Sequence, residues 1–327
     1  MTVEEVSHDA PGAGAGRDYD PAMNFRRHKT SRGASATAHL IAASTVFVSR
    51  SAGTGHFVPP RAAELCAQFV AARTPLARRL FSSMSAGRLR PLGAALERLT
   101  LPGIQLHYAL RKRLLEEVAL GALGAGLRQV VVLGAGFDTL ALRLSESHPA
   151  ARFVEVDHPA TQTVKRRVVE GRGLAGANLR FAALDLASLG DDATLGGEFF
   201  DARAPALFVA EGVLMYLAPD AVGRVFNFLR RQGAAGSLFA FTFMETRGDG
   251  RCAFRGESAL VDAWLRLRGE PFRWGVSRAG LGEFLGARAF SLREVFDSEA
   301  LRGRYLSGEL ARLPLAEGEC VCVAELV

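Results

Sequence analysis

The sequence predicts an α/β fold, a mostly parallel sheet with helices on both faces. Three observations predict it. Val130 to Leu133 is a short β-branched apolar run that leads into Gly134-Ala135-Gly136-Phe137-Asp138-Thr139, a glycine turn followed by a helix start. From Gln129 onward, strand-length apolar runs alternate with helical patterns. Four successive runs end in a polar feature: the glycine turn, Asp157, Asp185 and Glu211. In a parallel sheet these ends share one edge, and that edge is where doubly wound sheets hold their ligands.

The elements follow in order. Residues 1–20 mix Gly, Ala and acidic side chains without periodicity and are expected to form a disordered arm. Residues 21–121 read as an N-terminal helical cap, interrupted at Pro59-Pro60, Pro75, Pro91 and Pro102. Leu65, Phe69 and Val70 share one helix face, and Leu110, Leu114, Leu115 and Val118 share another. Residues 122–327 form the core. Gly134 and Gly136 allow the sharp turn after the first strand, and Asp138 or Thr139 caps the helix that carries Leu140, Leu142 and Leu144. The second strand is Arg152 to Val156, ending at Asp157, and the third is Leu179 to Ala183, closing on Asp185-Leu186. The fourth, Ala206 to Ala210, closes on Glu211. A helix with Val222, Val225, Phe226 and Leu229 on one side precedes the fifth, Ser237 to Phe243. Residues 245–275, rich in Gly and Arg and holding Trp264 and Trp274, read as a lid insertion. Leu292 to Phe296 and Glu319 to Val327 supply a terminal antiparallel pair. The sum is a seven-stranded Rossmann-like sheet.

Composition narrows the function. The chain is 49% hydrophobic and 23% charged, as in a globular enzyme. Its net charge is +6, yet only Lys29, Lys112 and Lys165 among 40 basic residues are lysines, which reads as coding bias. The arginines are scattered, so no nucleic-acid partner is expected. Cys66, Cys252, Cys320 and Cys322 form no disulfide framework, and Cys320 and Cys322 read as buried strand thiols facing one side. No histidine pair has metal spacing, and His56, His107 and His158 read as packing or surface residues; no metal is expected. The chain shows no membrane span and no basic signal start, so the expected compartment is cytoplasmic.

The glycine turn points to a nucleotide-bearing cofactor. A dinucleotide fingerprint would place a third glycine where Thr139 stands, which favours S-adenosylmethionine over NAD. Asp157, 21 residues after Gly136, suits a ribose diol, because a carboxylate accepts two hydroxyl protons. Asp185 is placed to accept from an adenine amino group, with Leu186 against the ring. Any one of these acids also serves as a helix cap or solvated loop residue. An NAD-dependent oxidoreductase is the alternative from a different class.

Three ordered motifs then carry a resemblance. Leu133-Gly134-Ala135-Gly136-Phe137-Asp138-Thr139, Glu155-Val156-Asp157-His158-Pro159 and Glu211-Gly212-Val213-Leu214-Met215-Tyr216-Leu217 resemble the leucine carboxyl methyltransferase family, whose bacterial members modify polyketides, peptides and small metabolites. The resemblance spans about Ser49 to Tyr305. It implies the seven-stranded methyltransferase sheet and S-adenosyl-L-methionine as cofactor. Gly134, Ala135 and Gly136 would contact the methionine part, Asp157 the ribose, Asp185 and Leu186 the adenine, and Glu211 the ammonium. Tyr108-Ala109-Leu110-Arg111 resembles the helix before the first strand, whose arginine pairs with the cofactor carboxylate. Arg111 is chosen over Arg113, since a guanidinium grips carboxylate with two prongs. Lys165 and Arg143 match frequent family positions and read as structural. Ser49-Arg50 with Phe57-Val58-Pro59-Pro60 departs from the family, which usually carries Asp where Pro59 stands.

Methyl transfer needs an aligned acceptor in a site poor in water. Tyr216 is read as the residue that orients the acceptor, with a place in the core as its alternative. Phe57, Tyr108, Phe254, Trp264 and Trp274 are expected near the pocket. The expected reaction is O-methylation of a carboxyl or hydroxyl group on a small metabolite, as in natural product biosynthesis. Methylation of carbon next to the carbonyl of a 2-oxo acid is the alternative within the family. The chain is expected to be a monomer or homodimer.

Overall fold

The structure is a computed structural model that describes residues 35–72, 90–197 and 199–327. The arm expected over 1–20 and the break expected at Pro75 lie outside these residues. Among the described residues four helices precede the sheet: α1 (Ala36–Ser49), α2 (Pro60–Ala71), α3 (Arg90–Thr100) and α4 (Ile104–Gly124). The prolines mark their starts, where a missing N–H costs nothing. Pro60 opens α2, Pro91 sits in the first turn of α3, and Pro102 lies between α3 and α4.

The strands are β1 (Gln129–Leu133), β2 (Arg152–Asp157), β3 (Leu179–Ala183), β4 (Leu207–Ala210), β5 (Leu238–Glu245), β6 (Gly275–Val276), β7 (Phe290–Phe296) and β8 (Glu319–Leu326). Their order is β3-β2-β1-β4-β5-β8-β7, with β1 to β5 parallel and the β7–β8 pair antiparallel. The sheet has eight strands rather than seven. The end of the insertion forms the extra one, because Gly275 and Val276 pair with Met244 and Glu245 of β5. Between the strands run α5 (Leu140–Ser147), α6 (Pro159–Glu170), α7 (Pro219–Gln232), α8 (Ala259–Arg268), α9 (Arg278–Gly286) and α10 (Ser298–Tyr305). No helix among the described residues is long and apolar enough to cross a membrane.

Every residue of β1 is buried, and its side chains divide by parity between two cores. Val130 and Val132 join α1, α2, α4 and α5 on one face. Val131 and Leu133 join α7 and α9 on the other, with Cys320 and Cys322. Trp274 belongs to this second core, against Phe284, and not to a pocket wall. A short run after β6 fixes it there, since Arg278 opens α9 only four residues later. Between β1 and α5, Asp138 is the cap: its Oδ2 accepts the Leu140 N–H at 3.0 Å, while Thr139 makes no such bond.

The second core centres on Phe226 of α7. It is fully buried and meets Phe239, Phe241, Phe284 and Phe290 edge-on, at centroid distances of 5.3 to 5.8 Å. Phe226→Ala should therefore lower unfolding free energy by about 3–5 kcal/mol. Denaturant unfolding measures it, and a loss under about 1 kcal/mol would contradict this packing.

Candidate active site

The glycine turn after β1 is left-handed at both glycines, with φ of +63° at Gly134 and +47° at Gly136. A Cβ at Gly134 would stand 2.5 Å from the Val213 side chain, so only glycine fits. Ala135 between them is buried. The turn also orients Asp157 at the end of β2. The Asp157 carboxylate accepts the Gly136 N–H on one oxygen and the His158 N–H, at 2.6 Å, on the other. Burial raises its pKa, and those two N–H groups oppose the rise. Each oxygen keeps a lone pair for a further donor, which suits a diol.

Asp185 and Leu186 stand at the end of β3 and are otherwise engaged. Asp185 accepts the Ala187 N–H and the Ser188 hydroxyl, both at 2.9 Å, and so caps a short 3-10 turn. Leu186 is buried in the second core. His158 caps α6 through Nδ1, which accepts the Ala160 N–H.

The centre of the site is a chain of alternating charge. Arg111, on α4, is 2% exposed. Its Nε and Nη2 donate to Glu211 Oε1 at 2.9 and 2.8 Å, and its Nη1 donates to both oxygens of Glu319 at 2.7 and 2.6 Å. His107 Nε2 lies 2.9 Å from Glu319 Oε2. Lys112 donates to Glu211 Oε2 at 2.9 Å and to Asp138 Oδ1 at 2.7 Å. Below them Lys165 donates to the Asp138 carbonyl at 2.6 Å and stands 2.6 Å from Glu155 Oε2.

Pairing sets the protonation states. Burial works against each charge, yet Arg111 and His107 hold the Glu319 carboxyl down at about 2. Lys112 and Lys165 likewise overcome burial and hold Asp138 well below its usual range. At Glu155 burial prevails over Lys165 and pushes the carboxyl up to about 7. Arg113, by contrast, points outward beside Glu117 at 3.3 Å and over the Tyr305 ring. Arg143 pairs with Glu116.

Beside Arg111 lies an aromatic wall. Tyr108 sits under the guanidinium at 4.8 Å, and Tyr216 stacks on Phe272 at 5.5 Å. Phe254 meets both Phe272 and His107 edge-on. Among the described residues neither tyrosine hydroxyl has a hydrogen-bond partner. Burial raises both phenols above their ordinary pKa. Opposite this wall, α1 covers the glycine turn: a Cβ on Gly136 would lie 3.1 Å from that of Ala38. Thr37 donates from its N–H and its hydroxyl to Glu270, joining α1 to the insertion.

The structure thus brings Arg111, Gly134, Ala135, Gly136, Asp157 and Glu211 to one edge, with Tyr216 five residues past Glu211. Sequence reasoning missed Lys112 and Glu319, and took Asp138 only as a cap. The donor set fits a zwitterionic amino acid attached to a ribose: Arg111 and Lys112 for a carboxylate, Glu211 for an ammonium, Asp157 for a diol. No group of His, Cys, Asp and Glu among the described residues is placed to hold a metal ion.

Comparison with known proteins decides the family. The sequence profile of leucine carboxyl methyltransferases matches residues 38–230. The chain belongs to the leucine carboxyl methyltransferase family. A protein of Mycobacteroides abscessus named as an S-adenosyl-L-methionine-dependent methyltransferase is 32% identical over 229 residues, 65% of this chain and 72% of its own. A Mycobacterium tuberculosis protein of the same name is 35% identical over 199 residues, 59% of this chain and 56% of its own. The chain spans about half the length of several such relatives. A solved methyltransferase structure from Thermobifida fusca is 20% identical, with a TM-score of 0.48 over 80% of this chain and 94% of that one. The chain is a methyltransferase that uses S-adenosylmethionine, and the NAD-dependent alternative falls away.

Arg111 and Arg113 should then separate cleanly. Arg111→Lys keeps the charge but loses the fork, and should weaken S-adenosylhomocysteine binding about tenfold or more in calorimetry. Arg113→Lys should bind as the parent does. Equal tolerance at both positions would remove Arg111 from the cofactor site.

Proposed function

We propose that this family member methylates a carboxyl group of a small metabolite, with the acceptor held against the wall of Tyr108, Tyr216, Phe254 and Phe272. The observation that carries the reading is the state of the polar groups in that wall. Both phenols stay protonated, since burial raises them. His107 Nε2 is held on Glu319, while its Nδ1 is buried without a hydrogen-bond partner among the described residues. The two phenols of the wall therefore offer hydrogen-bond donors to an acceptor that is already an anion. A carboxylate needs no base, because it is ionised at neutral pH, whereas an alcohol or a carbon acid must lose a proton.

When bound, S-adenosylmethionine would supply a sulfonium methyl group for in-line transfer to an aligned nucleophile, with the neutral thioether as leaving group. The chain's residues do the rest. Asp157 holds the ribose hydroxyls, Arg111 and Lys112 the amino-acid carboxylate, and Glu211 the ammonium. Asp185 and Leu186 border the adenine, more through the turn that Asp185 caps than through a free carboxylate. Tyr216 donates to one oxygen of the acceptor carboxylate and leaves the other to attack. The rings exclude water, so the attacking oxygen is poorly solvated and more nucleophilic. An aromatic wall suits a small molecule of the kind made in natural product biosynthesis.

The reading is tested with a panel of small carboxylic acids and S-adenosylmethionine labelled in the methyl group. A methyl ester releases labelled methanol in mild alkali, while an ether or a carbon-bound methyl does not. Alkali-labile label is expected, and alkali-stable label on the true acceptor would contradict carboxyl methylation. Tyr216→Phe should lower kcat roughly 10- to 100-fold, the worth of one hydrogen bond to a charged oxygen, with S-adenosylhomocysteine affinity unchanged. An unchanged kcat would return Tyr216 to the core.

A further inference from the structure

We infer that Glu319 is a positioning residue for the amino-acid end of the cofactor, acting through Arg111. The inference rests on the family's methyl donor and not on the identity of the acceptor. Glu319 is the first residue of β8 and is buried, and both of its carboxylate oxygens are taken by protein groups. Its backbone is fixed by pairing with Met244 of β5. Its carboxylate is fixed from two sides, by His107 Nε2 at 2.9 Å and by Arg111 Nη1 at 2.7 and 2.6 Å.

The consequence concerns Glu211. Arg111 spends Nη1 on Glu319 and only Nε and Nη2 on Glu211, where both meet the single oxygen Oε1. Glu211 Oε2 turns instead to Lys112. Arg111 and Lys112 thus stand between Glu211 and Asp138, Lys165 meets Asp138 and Glu155 from below, and Glu319 adds a negative charge behind Arg111. With the arginine charge taken up from behind, Glu211 keeps the excess negative charge that an incoming ammonium requires. Without Glu319, the guanidinium is free to close on both oxygens of Glu211 in the favoured two-pronged geometry. That closure would neutralise the ammonium's partner and remove the arginine from the ligand carboxylate.

The test compares two ligands with the same nucleoside and sulfur. S-adenosylhomocysteine carries the amino-acid end, and 5′-methylthioadenosine lacks it. In E319Q, calorimetry should show S-adenosylhomocysteine binding weakened by about tenfold or more, with 5′-methylthioadenosine within about twofold of the parent. Loss of both affinities together would make Glu319 a residue of the fold alone and overturn the inference, as would no loss of either. Should E319Q not fold, Glu319→Asp keeps the charge on a shorter arm and should show the same selective loss in smaller degree. If neither variant folds, the buried charge serves the fold and the inference fails. A parent protein that binds neither ligand would instead remove the donor assignment itself.

Discussion

A guanidinium buried at the centre of the molecule constrains everything around it. Arg111 has almost no contact with solvent, so its charge must be met by protein groups held in fixed places. The groups that meet it come from distant parts of the chain: Glu211 after β4, 100 residues beyond Arg111, and Glu319 at the start of β8, 208 residues beyond Arg111. Removing one partner of such a buried pair typically costs about 3–5 kcal/mol, because the other charge is stranded. The helix before the sheet, the parallel half of the sheet and its antiparallel end must therefore dock together. Burial and pairing have made the site part of the core.

The same chain of charge links the two ligand-facing sides of the edge. Toward the glycine turn it runs through Lys112 to Asp138, whose other oxygen caps α5. The helix that begins at the turn is thus started by a residue that also fixes the lysine. Toward the aromatic wall it runs through the guanidinium to the face of Tyr108.

Much of this was legible in the sequence, for physical reasons. Parallel strands buried on both faces read as continuous apolar runs, and their ends mark the ligand edge. Arg111 shares helical spacing with His107, Leu110, Leu114 and Leu115, so a charge sits in an apolar stripe, whereas Arg113 lies off it. The partner of that charge was not legible. Glu319 lies at the start of a terminal strand, and only the crossing of β8 against β5 brings it beside α4. Lysine did leave a signal. In a chain that uses arginine almost everywhere, both lysines of the described residues sit in the buried array. Composition alone cannot separate a biased codon supply from a site that needs a compact ammonium. The extra strand β6 was hidden for a simpler reason: two residues are too few to show alternation.

We place the amino-acid end of S-adenosylmethionine on the array from Glu319 to Asp138. A crystal structure of the complex with S-adenosylhomocysteine tests it most directly. The ligand ammonium should lie on Glu211 and its carboxylate on Arg111 or Lys112, with Arg111 Nη1 still on Glu319. A ligand whose amino-acid end lies elsewhere, with the Arg111–Glu211–Lys112 contacts unchanged, would contradict it.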